Sequence, residues 1–453
     1  MGLMNPHWKR SRLDLSTEGE EAASPSTRRA WLRALTPNVL LLGVVSFFAD
    51  VSSEMLYPLM PLFLTVTLGA PAAAVGVIEG LAEATAAVLK TVSGRIADRT
   101  GRRIEQTFGG YFLSAAVRPV IALAHAWPLV LAARVLDRAG KGIRTSPRDA
   151  ILADSAPADV RGAAFGWHRA MDTGGAVVGP LLALALLLAL DHNLRLVIGL
   201  AVIPGLIGAF CVLAVSDPRR RRREGRSKDV SVGDEVRAGQ AGDAAAEGTE
   251  AGGSASEGAR QRLRWSTLPG PFKVYLAAWL PFVLVNSSDV FLLLRAKQIG
   301  LSSTAVVLVY VLYNFVYALW SLPFGSLSDR WGRRQVMVVG MVVFAAVYAG
   351  FALARSLWQM IVLFAIYGLY MAATDGVGKA FAVDLVPVHL RATSVGLLGT
   401  LAGVATLLAS VLAGVLWDSV GPWAPFLLGA AGAGLSAILF GILPHLRKTA
   451  PVT

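Results

Sequence analysis

Ser93-Gly94-Arg95-Ile96-Ala97-Asp98-Arg99-Thr100-Gly101-Arg102-Arg103 returns later in the chain as Phe324-Gly325-Ser326-Leu327-Ser328-Asp329-Arg330-Trp331-Gly332-Arg333-Arg334. Gly94, Asp98, Arg99, Gly101, Arg102 and Arg103 meet Gly325, Asp329, Arg330, Gly332, Arg333 and Arg334 at one constant spacing. Each copy closes an apolar run, where the basic residues of a short loop are held at the cytoplasmic face of a bilayer. A second segment repeats at nearly the same spacing: Asp154, Pro157, Arg161 and Gly166 align with Asp384, Pro387, Arg391 and Gly396. The chain therefore reads as two homologous halves, each with a charged hairpin at the same membrane depth.

Composition agrees with that reading. Of 453 residues, 55% are hydrophobic and 16% charged, with a mean hydropathy of +0.57, too apolar for an ordinary soluble protein. Apolar runs of about 20 residues or more, the length that crosses a bilayer, fall near 36–66, 72–96, 105–126, 127–152, 160–190 and 194–215. They resume near 271–294, 302–327, 335–354, 357–384, 390–415 and 422–444. These are numbered spans 1 to 12. Their length predicts helices and not barrel strands, and each must satisfy its own backbone polar groups. The expected fold class is all-α transmembrane, with twelve helices in two pseudo-twofold-related six-helix bundles.

The net charge of +12 comes from cations in the short segments between runs, which points to topology and away from nucleic acid. Arg99, Arg102, Arg103, Arg144, Arg148, Arg161, Arg219 to Arg223, Arg330, Arg333, Arg334, Arg391, Arg447 and Lys448 all fall on one side. That predicts cytoplasmic termini and an inner, or plasma, membrane location; Arg295 and Lys297 run against the rule. Residues 1–35 read as a disordered cytoplasmic lead without a signal-peptide pattern. Residues 216–270 form a linker too polar to bury a core, between bundles at 36–215 and 271–446, and 447–453 form a cytoplasmic tail. The arginine run opening the linker reads as a stop signal that also suits anionic lipid. The single cysteine, Cys211, excludes an intrachain disulfide and a cysteine-based metal site.

Ionisable residues inside spans are expensive and mark function by default. Span 1 carries Asp50 and Glu54; span 2 carries Glu79, Glu83 and Lys90; span 4 carries Arg134, Asp137, Arg138 and Lys141; span 5 carries His168, Arg169 and Asp172. The second half is sparser, with Asp289, Asp375 and Lys379. Several lie four apart and so share a helix face. Ser52-Ser53-Glu54 resembles Ser287-Ser288-Asp289, which places the two acids opposite each other across the pseudo-twofold axis. A buried carboxylate can take up a proton on one side and release it on the other; Glu54, Asp289, Asp137 and Asp375 lead that list. Asp98, at a helix end, is suited to accept backbone N–H groups or to pair with a cation, with Arg144 or Arg148 nearest by topology. His168 and Asp172, with Glu54 or Glu83, offer mixed ligands to a divalent ion. Gly140-Lys141-Gly142 is no phosphate loop, because Val135 stands where its first glycine belongs and no Ser or Thr follows Lys141.

Twelve spans, the break into six and six, and the doubled G-x-x-x-D-R-x-G-R-R resemble the major facilitator superfamily, whose halves are nested inverted repeats. The resemblance covers residues 36–446. Gly175-Ala176-Val177-Val178-Gly179-Pro180 is similar to the G-x-x-x-G-P signature of its proton-coupled exporters; Gly399 and Gly403 in span 11 lack the proline. Arg138 four residues before Gly142 resembles the span-4 arginine linked to coupling in that superfamily, a part open equally to Arg134. The segment from Asp137 to Ala150, with Phe47 to Glu54 and His168 to Asp172, is similar to a bacterial subgroup that includes nickel-resistance exporters. The resemblance implies a proton-coupled secondary transporter, an antiporter exporting a drug-like molecule or divalent metal ion, working as a monomer without a cofactor. Uptake of a small anionic metabolite is the alternative, and a receptor or channel the alternative from another class. No catalytic constellation appears, so the chain reads as no enzyme. Tyr57, Trp279, Tyr310, Tyr313, Tyr317 and Tyr367 suit a cavity lining or, more commonly, helix packing.

Overall fold

In the computed structural model the described residues are 35–157, 160–218, 268–387 and 391–442. Nearly all of the expected lead, most of the expected linker and the whole tail lie outside them. Among the described residues there is helix and no strand, and the helices follow the twelve expected runs. Span 1 is Pro37–Leu56, continued by Met60–Leu62 and Phe63–Thr67; spans 2, 4 and 5 are Ala72–Thr100, Trp127–Ser155 and Arg161–Ala189. Span 3 is Arg103–Ala116 with Arg118–Ala122, and span 6 is Leu194–Leu200 with Val202–Cys211. Spans 8 to 12 are Ser303–Trp331, Arg333–Leu353, Leu357–Asp384, Arg391–Ser419 and Ala424–Ile442.

Nine of these are long and apolar enough to cross a membrane. Spans 3, 4 and 7 fall short of that test, each for a visible reason. Span 3 is interrupted at Val117, before Arg118 and Pro119. Span 4 is long but carries a ladder of charges. Span 7, expected as one run over 271–294, is two helices, Gly270–Val283 and Val290–Gln298, parted at Leu284 to Asp289. Other spans support the break: the amide of Ser288 donates to Ser410 Oγ at 3.0 Å, and just before it that of Phe282 donates to Ser436 Oγ at 2.9 Å. Such a broken helix is tolerated at membrane depth only where protein or water covers its backbone.

The two copies of the opening motif do the same local work. Gly101 ends span 2 with φ +66°, and Gly332 ends span 8 with φ +98°; only glycine adopts that region without strain. Arg103 then pairs with Asp154 at the end of span 4 at 2.9 Å, and Arg333 pairs with Asp384 at the end of span 10 at 3.0 Å. Asp154 and Asp384 are the acids of the second repeated segment. Arg334 caps span 12 through Phe440 O at 2.6 Å and Gly441 O at 2.5 Å. Arg99, Arg102 and Arg330 are exposed.

Span 2 packs antiparallel along span 11. Asp418 accepts from the amides of Ala72 at 3.2 Å and Ala73 at 2.8 Å, so a carboxylate of the second half caps a helix of the first. Farther along, Gly403 of span 11 comes against Ala87 and Glu83 of span 2. The end of span 2 therefore lies toward the start of span 11, and both charged hairpins sit at one end of the molecule, opposite Asp418. Arg195 and Arg295, at the Asp418 end, are spent on carbonyls. Arg195 donates to Ala122 O at 2.8 Å and Ala124 O at 2.6 Å, and Arg295 to Phe351 O and Ala352 O, each at 3.0 Å. The exception that Arg295 makes to the charge rule is a helix C-cap.

Candidate functional site

The middle of the first half is a ladder between spans 2 and 4, which run side by side. Arg134 grips Glu79 with both arms of its fork, Nη2 at 2.7 Å and Nε at 3.2 Å, and reaches Asp137 through Nη1 at 3.3 Å. With side-chain exposures of 3% and 1%, this pair is stable only because it is bidentate. One turn on, Arg138 pairs with Glu83 at 3.3 Å. Toward the motif end small residues replace the charges. A Cβ on Gly142 would stand 2.7 Å from Leu89, one on Gly140 would stand 2.5 Å from Gly110 O, and one on Gly94 would stand 3.2 Å from Ser146. These two span-4 glycines let it touch spans 2 and 3 at once, and Lys141 between them is exposed. Lys141 makes no ion pair among the described residues.

Span 5 holds span 1 by the backbone. A Cβ on Gly175 would lie 2.6 Å from Phe47 O and 2.9 Å from Asp50 Cβ; one on Gly179 would lie 2.6 Å from Val51 O and 2.9 Å from Glu54 Cβ. The Gly175-x-x-x-Gly179-Pro180 stretch is thus seated under the two acids of span 1, with Pro180 buried beside it.

Glu54 and Asp289 are gathered by tyrosines. Tyr310 donates to Glu54 across the two halves. Asp289 accepts from Tyr313 at 3.2 Å and from Tyr367 at 2.6 Å. Tyr57 stacks on Tyr310 with centroids 5.3 Å apart, and Tyr310 meets Tyr313 edge-on at 5.2 Å. The acids of spans 1 and 7 are therefore joined through two phenol rings rather than set directly opposite each other. Neither has an ion-pair partner among the described residues. Asp375 differs, pairing with Lys379 at 2.7 Å while accepting from Tyr317 at 3.1 Å.

Other expectations come out differently. Asp98, Gly325 and Asp329 lie outside the described side chains. Neither cation expected beside Asp98 is idle: Arg144 lies over the Tyr111 ring at 4.1 Å, and Arg148 pairs with Asp149 at 2.8 Å and donates to Ser46 at 3.2 Å. His168 approaches Asp172 at 3.5 Å, but no group of three metal-ligating side chains assembles among the described residues. Glu54 and Glu83 are engaged by Tyr310 and Arg138 instead.

Arg118 was legible and is missing from the sequence candidates. It is a cation inside the third apolar run, 2% exposed, and it donates to Ser52 Oγ between spans 1 and 6. Asp418 gave less signal, since an acid at a span's end is unremarkable until its partner helix is known.

The profile of the Major Facilitator Superfamily matches residues 42–294 and 274–453. An uncharacterised MFS-type transporter of Methanocaldococcus jannaschii is 32% identical over 413 residues, covering 90% of this chain and 95% of that one. An uncharacterised protein of Mycobacterium tuberculosis strain H37Rv is 28% identical, over 84% of this chain and 86% of its own. Among solved structures, a point mutant of the nucleoside transporter NupG superposes with a TM-score of 0.69 at 14% identity, over 89% of this chain and 98% of its own. A bacterial homologue of the human lysosomal transporter Spinster, inward-facing and occupied, gives 0.66 at 16%, over 89% and 94%. At those identities the likeness is one of fold.

Proposed function

The chain belongs to the Major Facilitator Superfamily and is a membrane transporter, and from that premise we propose that it works by alternating access, exchanging protons for a small solute that it exports. The observation that carries the coupling is the pair Glu54 and Asp289, held among the described residues by phenols and by no cation. Either acid can gain a proton without taking a partner from a buried cation, whereas protonating Glu79 or Glu83 would remove the closest ion-pair partner of Arg134 or Arg138. The halves, 36–215 and 271–446, act as the rocking units, and the hairpins at the motif end face the cytoplasm by the charge rule. With Asp418 capping span 2, the conformation described is closed at the opposite, external end. The protein then sits in the inner membrane with cytoplasmic termini and acts as a monomer.

A second reading, uptake of a small anion, draws on Lys141, the exposed span-4 cation without an ion-pair partner among the described residues. The cargo classes separate by experiment. In respiring inside-out vesicles loaded with a pH-sensitive dye, tetraphenylphosphonium, ethidium, nickel, cobalt and a set of organic anions are added singly. Export by antiport dissipates the acid interior for at least one cation or drug. If every added solute leaves the dye unchanged, while right-side-out vesicles with an acid exterior accumulate an organic anion, the export reading is wrong.

A further inference from the structure

Tyr310, Tyr313 and Tyr317 lie at i, i+3 and i+7 of span 8, on one helix face. Each donates to a carboxylate on a different span: Glu54 on span 1, Asp289 on span 7 and Asp375 on span 10. Only Tyr310 reaches an acid of the other half. Tyr317 touches the first half through Arg169 at 3.5 Å, at the outer limit of a hydrogen bond.

We infer that Tyr310 is a positioning residue: its hydroxyl ties the second half to the Glu54 carboxylate, and the charge on Glu54 sets how firmly the Asp418 end stays closed. This rests on the proposal that Glu54 carries a proton during transport. A phenol bond to an ionised carboxylate is roughly twice as strong as one between neutral groups. Protonation of Glu54 therefore weakens a contact between the two halves of the closed arrangement, and the equilibrium moves toward opening. The tie is well placed for this, because Gly179 holds the Glu54 backbone still and the stacked ring of Tyr57 holds that of Tyr310.

Other charged groups face the same place. Asp50 lies one turn away on span 1, and Asp172 and His168 approach from span 5. Arg134, Arg138 and Lys141 look in from span 4, Asp289 from span 7, and Glu79 and Glu83 from span 2. Substitution at Glu54 and Tyr310, rather than pH alone, has to assign the effect.

The test uses the full chain with Cys211→Ser, Val66→Cys and Val420→Cys, spin-labelled in nanodiscs. Residues 66 and 420 are exposed, at 64% and 54%, and report across the Asp418 end. Electron-electron distance distributions are taken between about pH 8 and about pH 5, where carboxylates with shifted affinities titrate. In the parent the longer distance grows as pH falls. Tyr310→Phe, which keeps the ring, raises the open-to-closed ratio about tenfold at the upper pH, the worth of one charge-assisted hydrogen bond, and flattens the profile. Glu54→Gln does the same, and the double variant matches either single one. Asp418→Asn, a purely structural tie, opens the end while keeping the slope. A Tyr310→Phe profile parallel to the parent's, with Glu54→Gln flat, overturns the role of Tyr310 and leaves the proton reading standing. A parent profile without pH dependence overturns both.

Discussion

Arg103 pairs with Asp154 at 2.9 Å, and Arg333 pairs with Asp384 at 3.0 Å, so in each half the hairpin after the second helix is fastened to the end of the fourth. The arginines come from one repeated segment and the aspartates from the other. The two repeats are two sides of a single contact, made twice.

That contact has a measurable worth. Arg103 is 4% exposed and Asp154 20%, a partly buried pair whose loss costs about 1.5–3 kcal/mol. Arg103→Ala and Asp154→Asn are each expected to lower the midpoint of thermal unfolding in detergent, and the double variant to fall no further than the worse single one. Additive losses would show that the two side chains act separately.

Breaking the Arg134–Glu79 fork strands a buried charge, at a cost of about 3–5 kcal/mol. Arg134→Ala and Glu79→Ala are expected to yield little folded protein by size-exclusion chromatography. Arg134→Met with Glu79→Leu restores much of the folded peak, since both charges of the fork go together and only Asp137 loses its contact at 3.3 Å. Failure of that double variant to recover would mean that the fork shapes the bundle beyond charge balance.

Gly179→Ala places a methyl 2.6 Å from Val51 O, and overpacking of that kind costs about 1–3 kcal/mol. It is expected to displace Glu54 and abolish transport while the protein still reaches the membrane. Gly174→Ala, whose methyl meets Phe47 at an ordinary 3.6 Å, is expected to transport normally. Equal activity in the two variants would detach the glycine stretch from the acids above it.

His168 and Asp172 form a pair without a third ligand among the described residues. His168→Ala is therefore expected to leave the nickel and cobalt tolerance of an expressing strain unchanged. A loss of tolerance confined to those metals would establish His168 as a ligand.

Much of this was readable before any coordinates. Gly101 and Gly332 recur because a helix must end there with positive φ, and a requirement on the backbone leaves an invariant mark. Glu54, Arg134 and Asp289 stand out because a charge at membrane depth is costly wherever it points. Tyr310, Tyr313 and Tyr367 do not stand out in that way. Whether a phenol packs or donates depends on how two helices are rotated about their axes, and periodicity leaves that undetermined. The break in span 7 had a signal in the polar run Asn286-Ser287-Ser288-Asp289, which the surrounding apolar residues outweigh in any average over the span. The roles of Arg295 and Asp418 depend on which helix end lies beside them, a matter of tertiary packing alone.

The most direct test is transport into proteoliposomes under an imposed pH gradient, using the solute that dissipates the gradient in inside-out vesicles. The parent protein is expected to accumulate that solute against its own gradient when the interior is acid, and to stop when the gradient is abolished. Glu54→Gln and Asp289→Asn, each purified as a folded monomer, are expected to pass solute only down its gradient. Full gradient-driven accumulation by both variants, or transport by the parent that ignores the imposed pH difference, would contradict proton coupling through these two acids.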